Sequence, residues 1–137
     1  MTQRAGHAIR AILMGAALAA LTGCSVGERA RALLVQQNRT LAALTLTIAT
    51  VEERDPDLAD RLYDTEDDLN GACEPLLQAG SRRLQDKEIG GDLKRQVYDS
   101  LEQCEQKTRE VARLLWVLDP DSAGRYLEDP YGRDQHR

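Results

Sequence analysis

Three cysteines, Cys24, Cys73 and Cys104, carry the thiols of this chain, and a thiol can be modified covalently, form a disulfide or bind a metal. Cys24 follows an apolar run over residues 11–21 and two small residues. Two arginines and no acid precede the run. Because a membrane-spanning helix needs roughly 20 apolar residues, this shorter run indicates an export signal and not a permanent span. An ordinary secretory signal and a short buried helix are the alternatives.

The four residues Leu21-Thr22-Gly23-Cys24 resemble the lipobox of bacterial lipoproteins. The resemblance implies that residues 1–23 are a signal peptide and that Cys24 is lipidated and becomes the first residue of the mature chain. Since one acyl chain binds a membrane only marginally and two or more hold firmly, the attachment should be stable. Ser25 implies sorting to the outer membrane, with the domain facing the periplasm, because an inner-membrane signal would usually have Asp there.

Removal of residues 1–23 leaves 114 of the 137 residues, the size of one compact domain. The removed segment holds two of the 18 basic residues and none of the 23 acidic ones, so the mature net charge is 16 − 23 = −7. Nucleic acid and anionic phospholipid headgroups repel a surface of this sign. The sequence also has no stretch in which basic residues alternate with aromatic ones. We therefore expect no nucleic-acid partner.

Cys73 and Cys104 form an even pair once the lipobox cysteine is set aside, and in an oxidising compartment such a pair predicts one disulfide. Two buried free thiols are one alternative. A metal site is the other, although no further cysteine or nearby histidine could complete a zinc shell. Facing residues in an antiparallel helical hairpin sum to a constant, so this pair places the turn between Glu88 and Ile89, next to two glycines.

The first segment with a helical pattern runs from about Val26 to Arg54. Its apolar residues recur in alternating steps of four and three, which is the spacing of a coiled-coil seam with one polar member. The seam consists of Ala30, Leu34, Gln37, Leu41, Leu44, Ile48 and Val51. Residues 44–48 also alternate with the period of a strand, but a solitary strand would have no partner.

Asp55-Pro56-Asp57 is an N-cap followed by proline at the first helical position, so it predicts a second helix that begins at Pro56. Asn70-Gly71 and Pro75 interrupt its apolar stripe, and the helix should therefore kink or break near Pro75. The constant phase of the stripe favours a kink. The stripe consists of Leu58, Leu62, Leu69, Cys73, Leu76 and Leu84.

The third helix follows a stop signal at Ile89-Gly90-Gly91, where the glycines suit a left-handed conformation. Asp92 is the predicted N-cap of this helix. This helix spans about Asp92 to Leu118, and its stripe includes Cys104. Residues 119–137 are polar and should form a flexible tail. The expected fold class is all-α, a small antiparallel bundle of three long helices over residues 24–118 with one internal disulfide.

Catalysis has little support in the sequence. The single histidine of the mature chain, His136, lies in the tail, so a histidine acid–base mechanism has no rigid base. The acidic run at residues 64–68 differs from a calcium-binding loop because Leu77 stands where the bidentate glutamate should be. We expect no enzyme, no metal and no cofactor apart from the lipid on Cys24.

Two apolar features lie outside the predicted core. On the first helix, Val35 and Leu46 belong to a second stripe, about 120–140° from the seam. On the third helix, Tyr98 and Trp116 share a face about five turns apart. Both pairs are candidates for partner binding. The structural alternatives are a first helix with a broad buried face and a tryptophan that holds the tail through one of its tyrosines.

These features are typical of a lipid-anchored periplasmic helical protein that binds another envelope protein as an adaptor or assembly accessory. The general architecture resembles the pilot lipoproteins of secretion systems, although it carries no motif specific to that family, and envelope-maintenance lipoproteins fit equally. The alternative is a module that binds a lipid or a peptide in a groove beside Pro75. Expected partners are the membrane, through the lipid, and an envelope protein or a second copy.

Overall fold

The computed structural model describes the backbone of residues 2–129 and the side chains of residues 26–129. The lipobox side chains, with Cys24, and residues 130–137, with His136, lie outside these ranges. The described residues form four helices and no strand, which confirms the all-α class: α1 (Thr2–Val51), α2 (Pro56–Leu84), α3 (Gly91–Leu118) and α4 (Pro120–Tyr126). Three long helices were predicted, and the short α4 is the addition.

Contacts divide the chain into two units, residues 1–31 and residues 32–137. The first unit contains the N-terminal part of α1, from Thr2 onwards. The second contains the rest of α1 and the other three helices. All contacts described below lie within the second unit.

The C-terminal half of α1 is buried along a broad face. Gln37, Leu44 and Ile48 of the predicted seam are buried, and residues 44–48 are helical. Leu34 and Leu41, at the edge of the seam, are only partly covered. Four residues beside the seam are also buried, namely Leu33, Thr40, Ala43 and Thr47. The buried face is therefore wider than a single coiled-coil seam, as a helix with two neighbours requires.

Two of these buried positions are threonines, whose hydroxyls need a hydrogen-bond partner in a core. Thr40 Oγ1 donates to the carbonyl oxygen of Gln36 at 2.8 Å, and Thr47 Oγ1 donates to that of Ala43 at 3.0 Å. Each hydroxyl is thus satisfied within its own helix.

The start of α2 is the one that the sequence predicts. The Asp55 carboxylate accepts a hydrogen bond from the backbone N–H of Leu58 at 3.1 Å, and Pro56 follows at the first helical position. The helix then continues without a break through Pro75 to Leu84. Cys73 and Leu76 are fully buried on either side of the proline, so core packing continues through the interruption.

The turn between α2 and α3 differs from the prediction. Asp86, with a φ of 54°, is the left-handed residue after α2, whereas Gly90 is extended with a φ of −63° and a ψ of 160°. The N-cap of α3 is Gly90, which has no side chain to accept a capping hydrogen bond, and Asp92 lies in the first turn. The reason is that α2 already ends at Leu84, so its left-handed residue comes before the glycines.

A disulfide joins α2 to α3 between Cys73 and Cys104, as predicted. The Cα atoms are 4.8 Å apart, and both cysteines are fully buried. Leu69 and Leu76 on α2 and Leu101 on α3 are also buried, one turn from the bonded residues. The bond therefore lies inside the core of the α2–α3 hairpin.

The segment predicted as a tail contains α4. The Asp119 carboxylate accepts a hydrogen bond from the backbone N–H of Ser122 at 3.2 Å, and Pro120 follows it. Asp119-Pro120-Asp121 thus begins a helix in the same way as Asp55-Pro56-Asp57, although residues 119–137 were expected to form a flexible tail. Ala123 is fully buried, so α4 packs against the domain.

Oxidised protein should melt well above reduced protein. The bond closes a loop of 31 residues, for which the chain-entropy model gives roughly 3–4 kcal/mol, or on the order of 10 °C in a small domain. Circular dichroism with and without reductant measures the difference. Cys24→Ser should retain the difference and Cys73→Ser/Cys104→Ser should abolish it. Equal melting of the oxidised and reduced forms would contradict the prediction.

Candidate functional site

A groove of about 290 Å³ lies between α1, α3 and the segment that follows α4. We call it the α1–α3 groove. Its walls come from three separate stretches of the chain. They are Gln36, Arg39 and Thr40 on α1, Thr108, Arg109, Ala112, Arg113 and Trp116 on α3, and Tyr126, the last residue of α4, with residues 127–129.

The face of α3 that lines the groove follows from helical spacing. Arg109, Arg113 and Trp116 occur at steps of four and three, so they lie above one another on one face. The buried stripe of α3, which includes Val111 and Leu115, points in a different direction. Packing of that stripe into the core therefore leaves the two arginines and the tryptophan at the edge of the core, facing the groove.

Two buried threonines contribute to the groove from its helical walls. Thr40 and Thr108 are 1% and 3% exposed. The hydroxyl of Thr108 donates to the carbonyl oxygen of Cys104 at 2.7 Å, as that of Thr40 does to Gln36. Because both hydroxyl protons are already used, the threonines offer a ligand no free O–H donor. Recognition in the groove depends on the other side chains.

Trp116 connects α3 to the segment after α4. Its indole Nε1 donates to the backbone carbonyl oxygen of Glu128 at 3.1 Å. A Cβ atom placed on Gly124 would lie 3.5 Å from its Cη2, so α4 also contacts the ring. Trp116 thus contacts the segment predicted as a tail, through Glu128 and Gly124, whereas a tyrosine was the expected partner. The ring remains only partly buried and still lines the groove, together with Tyr126, which is 42% exposed.

Three arginines give the groove a local charge that contrasts with the net charge of −5 of the chain. Arg109 forms an ion pair with Glu105 one turn earlier on α3. Within the described part of the chain, neither Arg39 nor Arg113 forms an ion pair or a side-chain hydrogen bond. Glu128 and Asp129 are the acidic members of the lining.

The structure does not bring the four predicted partner-binding residues into one site. Trp116 alone lines the groove. Tyr98 is 66% exposed and Val35 is 50% exposed, while Leu46 is partly buried. Their role in partner binding stays a prediction. No residue of α2 lines the groove, so it is distinct from the groove predicted beside Pro75, which also stays a prediction.

Sequence reasoning missed the three arginines and Tyr126 as members of a site. Arg109, Arg113 and Trp116 are close enough in the sequence for helical spacing to group them. Arg39 and Tyr126 are distant in the sequence and join them only through the fold. The full cluster of basic and aromatic side chains therefore forms only in three dimensions, although residues 109–116 contain three of its members.

The described residues add two further observations. In this part of the chain, no helix is long and apolar enough to cross a membrane. It also contains no group of three or more His, Cys, Asp or Glu side chains that could hold a metal ion. Residues 64–68, the acidic run, lie inside α2 and are helical.

Comparisons of the chain with protein-family models, curated proteins and solved structures found no match. The function therefore has to be inferred from the chemistry of the groove and of the cysteines.

The substitution Ala123→Leu should displace α4 and uncover Trp116. Ala123 is fully buried, so a larger side chain does not fit unless the helix moves. The fluorescence emission of Trp116 should then shift to longer wavelength, and the signal is specific because the chain has one tryptophan. Ala49→Leu, at an exposed position of α1, is the matched control and should leave the emission unchanged. Unshifted emission in Ala123→Leu would show that α4 does not cover the ring.

Proposed function

We propose that this protein is a lipoprotein of the bacterial outer membrane whose periplasmic helical domain binds another envelope protein, as an adaptor or assembly accessory. Removal of residues 1–23 and lipidation of Cys24 would anchor it, in line with the lipobox resemblance. Ser25 favours the outer membrane over the inner one. The lipid on Cys24 is the only cofactor that the proposal includes.

The domain in this proposal is an antiparallel bundle of three long helices, closed at one end by α4. Three contacts support the arrangement. The disulfide joins α2 to α3, and Gln37 Nε2 on α1 donates to Asn70 Oδ1 on α2 at 3.4 Å. Leu34 on α1 lies beside Gly80 on α2, since a Cβ atom placed on that glycine would be 3.6 Å from Leu34 Cδ1.

The observation that carries the adaptor role is the α1–α3 groove with Trp116, Tyr126 and its arginines. Tryptophan, tyrosine and arginine are the residue types most enriched where proteins bind one another. The volume of about 290 Å³ is at the lower limit of small-molecule pockets. It suits a few side chains of a protein segment better than a buried cofactor.

The residues that line the α1–α3 groove are better suited to binding than to catalysis. The described lining residues include no histidine, cysteine or lysine. The arginines remain protonated at all ordinary pH values, so they can bind a charge but cannot exchange protons with a substrate. We therefore propose no enzymatic activity for the groove.

The substitution Cys24→Ser should abolish lipid attachment and release the domain from the membrane or stall its precursor, because the acyl chains are its only strong membrane contact. Metabolic labelling with palmitate, followed by membrane fractionation, measures both effects. Cys104→Ser is the matched control and should keep its label. Palmitate on the Cys24→Ser protein would refute the anchor.

A photo-crosslinking residue in place of Tyr126 should capture a distinct envelope protein in intact cells. Tyr63 on α2 provides the matched control, since it is 47% exposed against 42% for Tyr126 and lies outside the groove lining. Mass spectrometry of the crosslinked species identifies what is captured. A crosslink from both positions or from neither contradicts a partner site in the groove. Capture of a second copy of this chain would indicate self-association instead of an adaptor role.

A further inference from the structure

We propose that the α1–α3 groove binds an extended acidic segment of its partner, in which two carboxylates are separated by one residue. The proposal deepens the adaptor role and rests on it. It specifies the chemistry that a partner must present to Arg39, Arg109 and Arg113.

The charge of the groove is the first argument. Three arginines line one groove of a chain with 23 acidic residues and 18 basic ones. Arg39 and Arg113 have no ion-pair partner within the described residues. Arg109 is paired with Glu105, but its side chain is 64% exposed. An exposed pair of this kind stabilises a protein by little, so a carboxylate of the partner can exchange with Glu105.

The spacing of the arginines is the second argument. Arg109 and Arg113 are one helical turn apart, which is about 6 Å along the axis of α3. In an extended segment, alternate side chains point to the same side about 6.6–6.8 Å apart. Two carboxylates separated by one residue therefore match the two arginines, and guanidinium groups bind carboxylates through paired hydrogen bonds. Arg39 on α1 supplies a third cation from the other helical wall.

Trp116 provides a third position on α3 that a side chain of the bound segment can contact. It lies three residues after Arg113 on the same face of α3, or about 4.5 Å along the axis. The next alternate side chain of the bound segment advances about 6.6–6.8 Å, about 2 Å past the axial level of Trp116, and would still lie beside the indole ring, where an apolar group is favoured. The expected sequence is acidic–x–acidic–x–apolar.

A row of carboxylates also fits this groove better than a compact anion does. The lining includes the residues Glu128 and Asp129 as well as the arginines. A phosphate concentrates its charge at one point, whereas Arg109 and Arg113 are one helical turn apart on α3. Carboxylates spread along a segment can each lie beside an arginine. A flat bilayer surface does not enter a concave groove between helices.

Trp116 fluorescence tests the proposal, because the only tryptophan of the chain lines the groove. The full chain in detergent is titrated with the blocked peptide Gly-Asp-Gly-Asp-Gly-Leu-Gly. We expect saturable binding that weakens as ionic strength rises from about 0.05 to 0.5 M, since exposed charges are screened. Two control peptides should bind with an affinity at least about tenfold lower. One has Asn in place of both Asp residues, and the other has the two Asp residues adjacent.

The double substitution Arg39→Gln/Arg113→Gln should weaken binding of the Asp peptide by about tenfold or more, because it removes two of the three cations. Arg61→Gln/Arg95→Gln is the matched control. It removes the same total charge from exposed positions on α2 and α3 that do not line the groove, and binding should stay within about twofold. Melting temperatures close to that of the unsubstituted chain would show that both variants fold.

Three results would overturn the proposal: unchanged binding in Arg39→Gln/Arg113→Gln, equal binding of the Asp and Asn peptides, or displacement of the peptide by inorganic phosphate at constant ionic strength. The adaptor role fails differently. A partner crosslinked at Tyr126, with no binding of the Asp peptide, would leave the adaptor role standing and reject only the acidic segment. Peptide binding without any crosslinked partner would reject the adaptor role.

Discussion

The bond between Cys73 and Cys104 sets the register between α2 and α3, and α3 supplies one wall of the groove. Cys104 lies one turn before Thr108, whose hydroxyl donates to the carbonyl oxygen of Cys104 and whose side chain lines the groove. Arg109 follows directly on the same helix. A buried covalent bond, with both cysteines at 0% exposure, prevents the two helices from sliding past one another. The bond thus fixes α3 four residues before Thr108 and five before Arg109, the first residues of this helix that line the groove.

A buried polar contact has a similar role between α1 and α2. Gln37 is 1% exposed and occupies the single polar position of the predicted seam. Its amide donates to Asn70 Oδ1 at 3.4 Å, a long hydrogen bond that contributes little stability. A shift of α1 by one turn would leave the buried amide of Gln37 without a partner, which costs more than the contact gains. Buried amides at seam positions specify register in coiled coils in the same way. Arg39, two residues after Gln37, is placed on the groove wall by this register.

The features that could be predicted from the sequence are those that repeat or depend on neighbouring residues. Helical periodicity predicted α1 from Val26 onwards, α2 and α3. The Asp55 cap predicted the start of α2, and cysteine parity with the hairpin symmetry predicted the disulfide. Helix α4 was missed because Pro120–Tyr126 is too short to show a stripe, so only its Asp-Pro cap could have revealed it. The groove was missed for a different reason. Its walls come from distant stretches, and an arginine on a helical surface looks like any solvated residue until the fold places others beside it.

The contrast between the acidic chain and its cationic groove gives the proposed binding site its selectivity. At physiological ionic strength, the field of an exposed charge decays over about 8 Å. The surplus of acidic residues therefore repels nucleic acids and anionic surfaces broadly, while the three arginines act only on groups that enter the groove. An acidic segment must overcome the general repulsion before it gains the local attraction, and shape decides whether it can enter. A narrow extended segment can enter the groove, and a folded acidic surface cannot. Under the proposal, the same net charge that disfavours nucleic acid would restrict the groove to flexible acidic segments.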